Sequence, residues 1–192
     1  MKNKRVCVDL DNTLCDLTGY VCDEINLGLG LADPVFNQRI ETYNYLQNTY
    51  GAWIEEFWTT PGIYDKHIKP LEGSIEFIRE LIAIVGRFNV SIVTATPKGL
   101  EEEKKQFCFK NYGISNVICT HEKWKHTKGA ILIDDYWKHC MDHLLQNDDP
   151  CILFNYENDY PYADAKYITF PITNKLHRAD SYKKVLEIIK EK

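Results

Sequence analysis

The sequence predicts an α/β fold: a doubly wound, mostly parallel Rossmann-like sheet with a small helical cap inserted into it. Three observations predict this. Short, apolar, β-branched runs alternate with helical periodicities. Three of those runs close on polar residues suited to phosphate chemistry. Between the first run and the rest, residues 15–66 are aromatic-rich and helical in pattern, with no convincing strand.

The elements follow in order. Residues 5–10 (RVCVDL) are nearly continuously apolar, as a buried parallel strand requires. Residues 15–66 leave after that strand and return near Pro70-Leu71-Glu72-Gly73. Residues 73–85 place Ile75, Ile78, Leu81, Ile82 and Val85 on one helical face. Residues 87–94 read as a second strand. A helix over 98–112 starts just after Pro97, carries acids in its first half and stops at Gly113. Residues 116–119, 130–134 and 151–154 read as further strands, and the tail from Ser181 reads as a final helix. The expected division is a core of residues 1–14 and 67–192 and a cap of residues 15–66.

Composition excludes several classes. An apolar fraction of 44% with 27% charged residues is that of an ordinary globular protein. At 192 residues the chain buries about two-thirds of its unfolded surface, so folding needs no disulfide or metal staple. A net charge of −5 argues against a groove for long nucleic acid but not against small phosphate esters. No apolar run approaches the roughly 20 residues that span a bilayer. The basic N-terminus is followed by an apolar stretch that Asp9 and Asp11 cut short, which argues against a secretory signal. The expected location is therefore the cytoplasm. The seven cysteines agree: their number is odd, no C-x-x-C pair occurs, and all are expected to be reduced and structural. Oligomeric state is left open, a homodimer included.

The strand ends carry the chemistry. The first closes on Asp9, Asp11 and Thr13, the second on Thr94 and Thr96, and the third on Asp134 and Asp135. In a doubly wound sheet the carboxyl ends of parallel strands meet at one edge, where ligands bind. Four carboxylates gathered there repel one another, and desolvation adds to the penalty. A hard divalent cation resolves this, and Mg²⁺ suits carboxylates together with substrate phosphate. A phosphoryl site also needs a cation, and Lys123, Lys125 and Lys128 are the candidates. Competing motifs fail. A calcium loop starting at Asp9 would need Gly and Glu where Leu14 and Tyr20 stand. His121 and His126 are five apart, which is wrong for a zinc-protease helix. Gly28-Leu29-Gly30 follows no strand.

These residues resemble the haloacid dehalogenase superfamily of phosphotransferases. Asp9-Leu10-Asp11-Asn12-Thr13-Leu14 matches its first motif, Thr94 its second, Lys123 its third and Ile133-Asp134-Asp135 its fourth. Within it the chain is similar to the 5′(3′)-deoxyribonucleotidases. That similarity rests on the early helical cap, Pro70-Leu71-Glu72-Gly73, Pro97, and Thr120-His121-Glu122-Lys123 before Leu132-Ile133-Asp134-Asp135. His121 stands where that family has Arg, and the Lys123–Asp134 spacing is one residue longer, so Lys128 stays an alternative to Lys123. The resemblance implies that Asp9 attacks phosphorus and Asp11 acts as acid and then base. It implies that Thr94, Thr96 and Lys123 bind the phosphoryl group. Mg²⁺ would be held by Asp9, Asp11 through its carbonyl, and one or both of Asp134 and Asp135. The expected partner is a small phosphomonoester, a nucleotide first.

Specificity falls to the cap. Its aromatics are Tyr20, Phe36, Tyr43, Tyr45, Tyr50, Trp53, Phe57, Trp58 and Tyr64, any of which can stack on a base or pack the cap's own core. Asn37, Gln38, Asn44 and Gln47 could read base edges. Alternatives are a phosphatase for sugar phosphates or nucleic-acid ends, and a receiver-like phospho-acceptor module. The early acidic pair of such a module is out of place here, where a pair comes last. A non-catalytic binding protein fits least, because both first-motif acids are present.

Overall fold

The computed structural model describes residues 4–37, 40, 44–159 and 174–192. Six strands form one sheet: β1 (Arg5–Val8), β2 (Val90–Thr94), β3 (Val117–Cys119), β4 (Ala130–Asp134), β5 (Cys151–Phe154) and β6 (Leu176–Ala179). Their order is β3-β2-β1-β4-β5-β6, and all five pairings are parallel. The order reverses beside β1, so the crevice between β1 and β4 is the switch point at which such sheets bind ligands. Val8 pairs with Ile133, which brings Asp9 level with Asp134.

The helices are α1 (Leu17–Leu29), α2 (Tyr45–Tyr50), α3 (Glu55–Thr59), α4 (Ile63–Lys66), α5 (Ser74–Val85), α6 (Glu101–Tyr112), α7 (Trp137–Asn147) and α8 (Tyr182–Glu191). Strand periodicity sorts the core. Val6 and Val8 face one side, packed with Phe77 and Leu81 of α5, Phe107 of α6 and Val185 of α8. Cys7 and Leu132 face the other side, with Cys140 of α7. A separate cluster of Val21, Cys22, Ile25, Val35, Ile40, Leu46 and Ile54 gathers α1 and α2 around a small apolar centre of their own. The segment between β1 and α5 leaves and returns side by side: Leu71 N donates to Leu14 O at 2.9 Å, and Cys15 bridges Pro70.

Several boundaries differ from the sequence expectation. β1 stops at Val8 because the Leu10 carbonyl accepts from Leu14 N and Cys15 N, which turns the chain. Arg87–Asn89 is a 3-10 turn and not strand, since Asn89 Nδ2 donates to the Val85 carbonyl at 2.6 Å and closes α5. α6 starts at Glu101, after Gly99 takes a φ of 97° that the right-handed helix excludes. On α5, Phe77 is buried while Ile75 and Ile82 are half-buried. β6 and α7 had no counterpart in the sequence reading. Gln38 and Tyr43 lie outside the described residues. All seven cysteines are free thiols, and no described helix is long and apolar enough to cross a membrane.

Candidate active site

The turn after β1 shapes the site. Asn12 sits at φ 57°, a left-handed conformation that Asn tolerates better than most residues. Its Oδ1 accepts from Thr18 N at 2.9 Å, tying the turn to the first turn of α1. Asp16 caps that helix, its Oδ1 accepting from Gly19 N at 2.8 Å. A Cβ on Gly19 would lie 2.0 Å from Asp16 Oδ2, so the cap requires glycine there.

Asp9, Asp134 and Asp135 converge at the switch point. Each offers a carboxylate oxygen, all within 4.8 Å of one another, and their exposures are 5%, 0% and 3%. Lys123, 1% exposed, places Nζ 2.7 Å from Asp9 Oδ1 and 2.7 Å from Asp134 Oδ2. The 3-10 turn Lys123–Lys125 that presents it is pinned from behind: Thr127 Oγ1 donates to the Lys123 carbonyl and Asn147 Nδ2 to the Trp124 carbonyl. Lys125 is instead exposed and pairs with Glu122, and Lys128 is exposed. The remaining Asp134 oxygen is taken as well, by Tyr136 N at 3.0 Å and His139 Nδ1 at 3.2 Å.

Electrostatics follow from burial. Burial pushes the Asp9 carboxyl above its ordinary value; Asp134 and Asp11 add to that and Lys123 opposes it. Burial works the same way on Asp134, but Lys123 and then His139 override it and hold that carboxyl at about 2. Burial alone would lower Lys123, yet Asp134 and Asp9 raise it, so the ammonium stays charged. Three buried carboxylates gather here, and the Lys123 ammonium contacts two of them. The donor set, all hard carboxylate oxygen, fits a divalent cation such as Mg²⁺.

Asp11 lies apart from this cluster. Its Oδ2 accepts from Lys104 Nζ at 2.6 Å and its Oδ1 from the Tyr64 hydroxyl at 2.5 Å. Lys104 is fully buried and also donates to the Ala95 carbonyl at 2.6 Å and to Thr94 Oγ1 at 3.0 Å. Burial and then Asp11 push the Tyr64 phenol well above its usual range, so it stays a donor. Thr94 and Thr96 turn their hydroxyls toward backbone, Thr94 to the Ala95 carbonyl and Thr96 to the Thr94 carbonyl. Ala95 lines the cavity between them.

That cavity, about 310 Å³, opens above the carboxylates. Asp9, Asp11, Lys104, Lys123 and Asp135 form its floor, while Leu17, Val21, Ile40, Leu46 and Trp58 form an apolar wall with Asn44 and Gln47 beside them. Of the described aromatics in residues 15–66, Trp58 and Tyr64 reach the cavity. Tyr20, Tyr45, Tyr50 and Phe57 pack against the small apolar cluster, and Phe36 and Trp53 are exposed. Lys104 and His139 escaped the sequence reading. Lys104 did leave a signal: with Leu100, Phe107 and Cys108 it lies on the buried stripe of its helix, where a lysine needs a partner.

No protein-family model and no curated protein matches the chain. Solved structures do. A haloacid dehalogenase family hydrolase from Deinococcus radiodurans, with bound phosphate and sodium, superposes at TM-score 0.62 with 11% identity, covering 99% of this chain and 96% of that one. The chain has the haloacid dehalogenase fold. Two further structures share it. A predicted phosphatase from Clostridium acetobutylicum gives a TM-score of 0.59 at 16% identity, covering 97% of this chain and 100% of that one. The Bacillus subtilis hydrolase YfnB, bound to magnesium, gives 0.54 at 12% identity, covering 98% and 99%. In this fold the carboxyl ends of β1, β2 and β4 face one crevice, which here holds Asp9, Asp11, Lys123, Asp134 and Asp135.

Proposed function

We propose that this chain is a phosphatase of the haloacid dehalogenase superfamily: a Mg²⁺-dependent phosphomonoesterase that works through an aspartyl-phosphate on Asp9 and acts on nucleoside monophosphates. One observation carries the reading. Asp9 stands between a buried ammonium and a second acidic pair, at the floor of a cavity with an apolar wall. A carboxylate so placed can act as a nucleophile, because charge leaving it is met by fixed positive groups.

In the first step an Asp9 carboxylate oxygen bonds to phosphorus and the phosphorus–ester oxygen bond breaks. Asp11 gives its proton to the departing oxygen, which leaves as an alcohol. In the second step water attacks the aspartyl-phosphate, Asp11 takes the water proton, and the bond to Asp9 breaks. Inorganic phosphate leaves and both aspartates return to their starting states. Lys123 holds phosphoryl oxygens; the Thr94 and Thr96 hydroxyls, turned to backbone carbonyls, take no part in this arrangement. Asp9, Asp135 and the Asp11 carbonyl would hold Mg²⁺, which supplies charge neutralisation at the phosphoryl group. Asp134, with both oxygens bonded, orients Lys123. The phosphate in the Deinococcus structure and the magnesium in YfnB support the chemistry on this fold.

Residues 15–66 act as the cap and supply specificity. Trp58 offers a face for a base, and Asn44 and Gln47 offer amides for its edge. The protein works in the cytoplasm. The test is phosphate release from a panel of ribo- and deoxyribonucleoside monophosphates and sugar phosphates, with Mg²⁺. Nucleotides should be hydrolysed with the higher kcat/KM. A sugar phosphate preferred over every nucleotide would overturn the substrate assignment and leave the phosphatase standing.

A further inference from the structure

The Asp11 carboxylate is held from both sides by donors outside the matched motifs. We infer that Tyr64 and Lys104 are positioning residues for Asp11, aiming its carboxylate as the base for the second half-reaction, the hydrolysis of the aspartyl-phosphate. The inference rests on the phosphatase reading.

Once Asp11 has given its proton to the leaving oxygen, a phenol and an ammonium stand in place to donate to its carboxylate. These two bonds and the weak Cys15 thiol contact, 3.8 Å from Oδ1, still leave a lone-pair position for water. They also fix its rotation, and a base loses rate steeply when misaimed. Neither donor can drift. Lys104 is fully buried and donates to the Ala95 carbonyl and Thr94 Oγ1 as well as to Asp11. Tyr64 packs edge-on against Phe107, with the Lys104 ammonium 5.2 Å from its ring centre. The residue before Lys104 completes the arrangement: Glu103 accepts from Gly62 N at 2.9 Å and from Tyr64 N at 2.7 Å. One dipeptide of α6 thus holds the base directly and also holds the short helix that carries its second donor. The segment returning from the cap is thereby tied to the residue that must meet water.

The second half-reaction has its own kinetic signature. With a good leaving group such as p-nitrophenyl phosphate, kcat/KM reports only the steps up to departure of the phenol, whereas kcat includes hydrolysis of the intermediate. Tyr64→Phe removes one oxygen and keeps the ring. We expect its kcat on p-nitrophenyl phosphate with Mg²⁺ to fall about 10-fold, its KM to fall by the same factor, and kcat/KM to hold within about 2-fold. Rapid mixing should show a burst of phenolate close to one per enzyme. Lys104→Met should give the same pattern more strongly. In an Asp11→Asn background, Tyr64→Phe should add nothing, because it acts through the missing carboxylate. If kcat and kcat/KM fall together in Tyr64→Phe, or the double variant is slower by the full product of the two losses, the positioning role is wrong even if Lys104→Met fails to fold. A wild-type protein that releases no phenolate at all would instead refute the phosphatase reading.

Discussion

Lys123→Met tests the electrostatics of the site without any assumption about substrate. In the folded protein the Lys123 ammonium lies 2.7 Å from each of two carboxylates, and all three side chains are at least nine-tenths buried. Methionine keeps much of the volume and removes the charge. Asp9 and Asp134 then face each other without a cation between them. Removing one partner of a buried ion pair costs about 3–5 kcal/mol, and here a single cation serves two anions, so the upper part of that range applies. For a domain of this size the midpoint of thermal unfolding moves by about 2–4 °C per kcal/mol, giving a loss of about 8–20 °C. The assay is thermal unfolding followed by circular dichroism in chelator, with Lys128→Met as control, since Lys128 is exposed. Adding Mg²⁺ should restore part of the loss, because the cation would neutralise the same carboxylates, and the gain should exceed that of the wild type. A Lys123→Met midpoint within about 2 °C of wild type in chelator would refute the reasoning.

Chelation should abolish phosphate release and Mg²⁺ should restore it, with the unfolding midpoint rising as Mg²⁺ is added; an unchanged rate in excess chelator would remove the metal from the account. Trp58→Ala should lower kcat/KM for nucleotides by about 5- to 150-fold, the worth of one base stack, and spare p-nitrophenyl phosphate; equal losses on both would assign Trp58 to cap folding. Burial holds His143 below its ordinary value of 6.5, so the folded state favours the neutral ring. Its stabilising share is therefore complete above pH 6.5 and is lost as the pH falls from there through the depressed value. Urea midpoints from pH 7.5 to 5 should fall less steeply in His143→Gln; a parallel slope would show that this ring does not set the dependence.

The residues explain what the sequence disclosed. The three strand ends were legible because each is a continuous apolar run closing abruptly on acids or threonine, and a parallel sheet leaves such ends only one edge to share. α7 stayed hidden because Lys138, His139, Asp142 and His143 blur its apolar stripe, although Cys140 and His143 are its buried face. β6 stayed hidden because only Leu176 and Ala179 of its four residues are buried. Lys104 lies in EEEKKQ, a run that reads as a solvated helix face, and only its register with Leu100, Phe107 and Cys108 marks it as internal. The choice of Lys123 over Lys128 needed the 3-10 turn, which brings one Nζ to the acids and leaves the other lysine outside. The threonines could be placed at their strand end by sequence, but where their hydroxyls point is set by Lys104 and the backbone of the turn.

The central claim is that Asp9 carries the phosphoryl group during turnover. It is tested most directly by mixing the protein and Mg²⁺ with a monophosphate labelled on phosphorus, quenching in acid within milliseconds, and mapping the labelled peptide. The account predicts acid-stable label on the peptide containing Asp9, its disappearance into inorganic phosphate on a chase with unlabelled substrate, and no label or turnover in Asp9→Asn. Phosphate released at the wild-type rate by Asp9→Asn, or turnover with no label at Asp9 at any quench time, would contradict it.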